Sequence, residues 1–238
     1  MRHLAAAALA VAFAATPLAA SAHWGAGTPG DGKKVTQQRQ VAAFKAVRLE
    51  GSLDVRVKVG EPAAVAVTID ENLQPLVETR LDGDTLVIST TGSMSYRGEG
   101  RVQVATPALR AFTIEGSGDV EIDGGQGDLE LTVSGSGDLS WRGAAGALRV
   151  EIEGSGDVKL AGTAQRAMLS VAGSGDVQAR SLVAGSAKVS VAGSGDVEVT
   201  LDGGALEASV AGSGDVHWYG KAQVERASVA GSGEIAHR

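Results

Sequence analysis

The sequence predicts an all-β chain wound as a parallel β-helix, a β-solenoid with rungs of about nineteen residues. Three observations predict it. The tetrapeptide Gly-Ser-Gly-Asp starts at Gly116, Gly135, Gly154, Gly173, Gly193 and Gly212, with a Gly-Ser-Gly-Glu variant at Gly231. The intervals are 19, 19, 19, 20, 19 and 19 residues, a register that a flexible linker does not hold. Apolar and polar residues alternate on both sides of each tetrapeptide, the period of a strand with one face turned inward.

From the N-terminus, the first segment reads as a secretory signal peptide, residues 1–22. Arg2 and His3 form a short basic start, Leu4 to Ala20 an alanine-rich apolar run, and Ala20-Ser21-Ala22 a cleavage site, so the mature chain is expected to begin at His23. The run is too short and too weakly apolar to span a bilayer, and no membrane helix is expected after it. Export to the periplasm or the cell surface, as a soluble chain, follows as the expectation. Residues 23–40 carry no periodicity and read as a flexible leader.

Residues 41–115 repeat the pattern in degenerate form. Gly51-Ser52-Leu53-Asp54 with Val55, Val57 and Val59 reads as an early rung, and Val65, Val67 and Ile69 as its return strand. Leu81 to Ser89 reads as a hairpin, Ser93 to Gly100 as an exposed loop. Val102, Val104, a turn at Thr106-Pro107, and then Phe112 and Ile114 lead into the regular array, residues 116–238.

In that array the residue after each acid is apolar: Val120, Leu139, Val158, Val177, Val197, Val216 and Ile235. A second apolar column precedes each corner, at Val133, Ile152, Val171, Val191, Val210 and Val229. Each rung must bury these columns against identical ones above and below. Opposite charges recur in the same register, with Glu130 expected beside Arg149, and Glu207 between Lys188 and Arg226. The Gly-Ser-Gly corner permits positive φ at two positions.

Composition narrows the function classes. Without Arg2 the chain has 20 Lys+Arg against 28 Asp+Glu, a net charge of −8, which argues against a nucleic-acid partner. There is no cysteine, hence no disulfide, thiolate chemistry or cysteine metal site. No cofactor is expected.

The candidate site residues are the acid column Asp119, Asp138, Asp157, Asp176, Asp196 and Asp215, closed by Glu234. A calcium ladder would need Gly-Gly-x-Gly-x-Asp at about nine-residue spacing. Only Gly124-Gly125-Gln126-Gly127-Asp128 approaches that, with its acid one place early. The competing reading is that each Asp caps its own turn. Stacked carboxylates about 4.8 Å apart repel by roughly 0.9 kcal/mol in water, whereas a charge-assisted bond from a backbone N–H returns about 1.5–3 kcal/mol. Capping therefore outweighs repulsion without a metal. His3, His23, His217 and His237 make no catalytic constellation, and no Asp/Glu pair stands apart from the array as an acid–base dyad. Trp141 and Trp218 fall in the inward column, which leaves Tyr96 and Tyr219 as the exposed aromatics of the folded part.

The stretch Phe44-Lys45-Ala46-Val47-Arg48-Leu49 followed by Gly51-Ser52-Leu53-Asp54-Val55 resembles the start of the bacterial head GIN domain family. Val102-Gln103-Val104, Thr106-Pro107-Ala108-Leu109 and Gly116-Ser117-Gly118-Asp119-Val120 are similar to its central signature, and the resemblance spans roughly residues 40 to 235. The family carries the label of auto-transporter adhesins. The resemblance implies a right-handed β-helix in or outside the cell envelope, without catalytic residues. An auto-transporter continues into a translocator barrel, and the sequence reaches Arg238 without one. The expected function is a non-catalytic binding or adhesion module with an envelope or surface partner. The alternatives are a periplasmic scaffolding solenoid and a weak divalent-cation-binding repeat. An uncovered last rung predicts weak end-to-end self-association.

Overall fold

The structure is a computed structural model that describes residues 27–238 except Arg97 and Glu99. The expected signal peptide and the mature terminus at His23 lie outside the described residues. Strands β1 (Thr28–Pro29), β2 (Lys34–Arg39), β3 (Ala46–Gly51), β4 (Asp54–Val59) and β5 (Ala64–Asp70) come first, followed by a 3-10 turn over Glu71–Leu76. Then come β6 (Val77–Asp82), β7 (Thr85–Thr90), β8 (Met94–Ser95), β9 (Arg101–Thr106), β10 (Ala111–Gly116), β11 (Val120–Asp123) and β12 (Leu129–Gly135). The regular array follows as β13 (Leu139–Gly154), β14 (Val158–Gly173), β15 (Val177–Gly193), β16 (Val197–Gly212), β17 (Val216–Gly231) and β18 (Ile235–His237).

The chain is a β-solenoid of about 7 turns. Each rung from β13 to β17 is one strand of 16 or 17 residues, bent at its corners, where two separate strands per rung were expected. The strand stays continuous because corner residues keep their partners above and below: Gly143 opposes Gly162, and Ala144 opposes Thr163. Pairing is parallel and in the expected register, with Val120 between Val55 and Leu139. Gly51-Ser52-Leu53-Asp54 is therefore a true rung of the stack. The expected charge neighbours meet as well. Arg149 lies 3.4 Å from Glu130 and Lys188 3.2 Å from Glu207, whose other neighbour in register is Arg226.

The inward columns form one continuous core from Phe44 to Val216. Trp141 is buried in it and its indole N–H donates to the Gly124 carbonyl at 3.0 Å, so the ring fills the core with its polar atom satisfied.

The N-terminal end departs from the expected pattern. Residues 28–39, expected as a structureless leader, contribute two strands: β1 pairs with β8 inside the expected 93–100 loop, and β2 runs antiparallel to β5. The return strand β5 does not pair with its own rung. Strand β9 lies between them, parallel to β4 and antiparallel to β5. The expected hairpin is β6–β7. The 3-10 turn buries Leu73 and Gln74, and the Gln74 amide donates to the carbonyls of Val35 and Val67, both at 2.9 Å. This end of the core is closed.

The other end is open among the described residues. Strand β18 pairs only with Val216–Trp218. Val224 and Val229 are 48% and 44% exposed, although Leu206 and Val210, one rung below in the same columns, are buried. Trp218, expected in the core, is only half-buried and lies against the His237 ring at 4.1 Å, because no full rung covers it.

Candidate functional site

Each corner begins with a glycine whose carbonyl accepts two amides from the rung above. Ser155 N and Gly156 N donate to Gly135 O at 2.9 and 3.3 Å, and the same pair of bonds recurs along the stack. Of the two positions where the corner permits positive φ, only the first glycine of each tetrapeptide takes it, as at Gly154 (138°). The second glycine is required for space. A Cβ on Gly156 would lie 2.1 Å from the Gly137 carbonyl oxygen.

The acids that follow form a ladder, and each caps the next rung's turn in place of its own. Oδ1 of Asp119 accepts from Asp138 N, Asp138 from Asp157 N, Asp157 from Asp176 N, Asp176 from Asp196 N, Asp196 from Asp215 N, and Asp215 from Glu234 N, at 2.8–3.2 Å. The reason is orientation: the acid's own amide, the last of the corner, turns toward the carboxylate below, while the first amide of the strand turns upward, Leu139 N donating to the Asp157 carbonyl at 2.9 Å. The column begins with Asp54, whose Oδ1 faces Asp119 N at 3.4 Å. Asp128, the one acid near a calcium-roll motif, uses its Oδ1 in the same way, on Ala147 N at 2.8 Å.

Cations bound the ladder at both ends. Arg101 lies beside Asp54 in register, and Arg238 pairs with Glu234. Near Asp54, burial foremost and the Asp54 charge second raise the Tyr96 phenol above its ordinary pKa, so it stays protonated.

Alongside the ladder runs the outward column Arg56, Glu121, Ser140, Lys159, Gln178 and Glu198. Two connected hollows of about 380 and 390 Å³ flank it, sharing Glu121, Ser140 and Lys159. The first opens onto Asp54, Asp119, Asp138 and Asp157; the second onto Asp123, Arg142 and Arg180. This groove was missed by sequence reasoning. Its one signal was the single 20-residue interval, between Gly173 and Gly193.

The extra residue makes a bulge at Arg180. Leu160 opposes both Ala179 and Arg180, and on the other side Arg180 to Leu182 have no counterpart between Val199 and Thr200. Thr200 Oγ1 donates to the freed Arg180 carbonyl at 2.8 Å. The Arg180 guanidinium lies 4.5 Å from the centre of the Tyr219 ring, whose hydroxyl donates to Glu198 at 3.1 Å. Tyr219, expected to be exposed, is thus held half-buried from both sides, as Tyr96 is by the N-terminal cap.

Among the described residues one His/Asp/Glu group brings three ligand atoms within 4.8 Å: Asp215, His217 and Glu234. The adjacent rungs join residues that sequence reasoning had kept apart. Arg238 donates to both His217, at 3.0 Å, and Glu234, and Asp215 is engaged by Glu234 N. A cation of the chain itself already serves this group.

A parallel solenoid whose corners repeat Gly-Ser-Gly-Asp defines a class of β-solenoid repeat proteins, and the comparisons agree with it. The family described as "Putative auto-transporter adhesin, head GIN domain" matches residues 43–222, and the chain belongs to that family. A crystal structure of a putative adhesin from Bacteroides fragilis is 24% identical, with a TM-score of 0.81 over 88% of this chain and 99% of the other. A putative lipid binding protein from Parabacteroides distasonis is 25% identical, with a TM-score of 0.71 over 88% and 98%. A putative adhesin from Parabacteroides merdae is 22% identical, with a TM-score of 0.68 over 89% and 98%. No protein of curated function matches the chain.

Proposed function

We propose that the chain is exported and acts as a non-catalytic binding module of the bacterial cell envelope. The observation that carries this reading is the face formed by the acid ladder and its groove. There a rigid stack holds unlike charges in rows at rung spacing, and a grooved polar face on a rigid scaffold suits an extended partner. The adhesin label of the family, and the envelope or surface setting it suggests, support the same reading. No helix among the described residues is long and apolar enough to cross a membrane. Fractionation of a tagged chain, followed by binding of the purified 23–238 protein to isolated envelope polymers, tests it. Retention of the tag in the cytoplasm, or failure to bind any envelope fraction, would overturn it.

A second reading, a scaffolding solenoid that associates with its own kind, is favoured by one observation, the open apolar end of β17. Solution mass separates the two.

A further inference from the structure

Resting on the binding-module reading, we propose that the groove centred on Ser140 is the binding site, and that it takes an extended peptide carrying both ammonium and carboxylate groups.

The groove presents both signs of charge. On one side stand Asp138 and Asp157. Their Oδ1 atoms are committed to backbone amides, and both residues line the first hollow. Lys159 stands in the column between the two hollows and Arg142 on the far side, both exposed and without an ion pair among the described residues. Of the other charges, Glu121 lies 2.7 Å from Arg56 and Glu198 accepts from Tyr219, while the exposed Asp123 stands beside Arg142 in register. The groove therefore offers two cations set among carboxylates, Asp138 and Asp157 on one side and Asp123 beside Arg142 on the other.

Ser140 is the small residue between Glu121 and Lys159 in the outward column, and it lines both hollows. Its short side chain leaves a pass between the two hollows. The bulge at Arg180 closes the groove on its C-terminal side, and the Arg180–Tyr219–Glu198 contacts hold that wall in place. Bulges bend a strand and re-aim its side chains, and this one interrupts the uniform repeat beside the two cations.

These charges discriminate between ligand classes. A polyanion laid in the groove would gain Arg142 and Lys159 but run beside the acid ladder, and a polycation would meet the reverse. A neutral glycan finds no free aromatic platform, since Trp141 is buried and Tyr219 is pinned. An extended peptide bearing both signs satisfies both sets of charges, with Ser140 and Gln178 as hydrogen-bonding partners for its backbone.

The test is amide NMR titration of the 23–238 protein with four probes: a Lys-Glu alternating hexapeptide, hexaglutamate, hexalysine and polygalacturonate. The proposal expects the alternating peptide to bind tightest, with shifts at Ser140, Arg142, Lys159 and Gln178. Arg142→Glu combined with Lys159→Glu should weaken it by about tenfold or more. Asp157→Asn, which keeps the acceptor for Asp176 N, should weaken it by a few fold at most. Arg166→Glu, an exposed residue outside the groove, should leave it unchanged. Equal or tighter binding of either like-charged peptide or of polygalacturonate, shifts away from the groove, or an unaffected double variant would overturn the site. If the protein still retains envelope polymers in that case, the binding-module reading stands and only the groove assignment fails.

Discussion

At the scale of single residues, the corner shows why four residues recur so faithfully, because each position meets a separate demand. The first glycine takes a φ that side chains avoid, the second leaves room for a carbonyl, and the acid receives the amide of the rung above. The residue types were legible in the sequence, but not the direction of the aspartate bond, since a repeat aligned with itself does not say whether a contact is made within a rung or between rungs. Two comparisons test these roles. Gly175→Ala places a Cβ 2.1 Å from the Gly156 carbonyl oxygen, so the backbone must shift; a loss of roughly 2–4 kcal/mol in urea unfolding is expected. Gly127→Ala, where nothing lies within 4 Å, should be neutral or slightly stabilising. Asp157→Ala orphans the Asp176 amide and should cost about 1–3 kcal/mol. Asp157→Asn keeps the bond and relieves repulsion, so it should stay within about 0.5 kcal/mol of wild type. Because backbone amides occupy the Oδ1 atoms, a chelator is expected to leave the circular dichroism spectrum unchanged. A lost β-signal would show that a cation holds the ladder together.

At the scale of elements, the regular array could be read because identical rungs must share one register, and any slip would turn the apolar columns to solvent. The N-terminal strands could not. Lys34 to Arg39 has little apolar content, and its strand is set by antiparallel pairing to β5 in an end cap, a tertiary demand without a repeat to announce it. The Arg180 bulge falls between these cases: its extra residue is visible in the spacing, but nothing in the spacing says where in the rung it is accommodated. Tyr219 is the residue that ties the bulge to the rungs beyond it. Tyr219→Phe removes the bond to Glu198 while keeping the ring under Arg180, and should cost about 0.5–1.5 kcal/mol. Tyr219→Ala removes both contacts, and hydrogen exchange at Arg180 to Leu182 should then quicken more than elsewhere in β15. Uniform exchange in both variants would mean that the bulge is held by the Thr200 bond alone.

At the scale of the whole molecule, the solenoid has one finished end and one unfinished end. The N-terminal cap buries Leu73 and ends in the mostly polar, exposed edge strands β2 and β6, so it offers no open apolar column for stacking. At the other end, β17 beyond Gly220 presents a row of amides and carbonyls unpaired among the described residues, beside half-exposed Val224 and Val229. Stacking of one end on the opposite end of a second copy is thereby disfavoured, and the contact expected is between two C-terminal ends about a two-fold axis. An axis at the Glu225–Arg226 corner is self-complementary. It sets Glu225 opposite the second copy's Arg226, Val224 opposite Ala227 and Ala222 opposite Val229, so that charge meets charge and inner column meets inner column. Strand β18 and the Glu234–Arg238 pair cover the remaining edge, which confines the contact to a short segment and keeps it weak. Sedimentation of the 23–238 protein should therefore show a dimer growing in with concentration, without longer filaments. Val229→Lys and Ile235→Lys put charges at this end and should each shift the equilibrium to monomer. Val229 is already half-exposed, so its variant should unfold within about 0.5 kcal/mol of wild type. A strict monomer at high concentration, or filaments that persist in both lysine variants, would show that this end is not the contact.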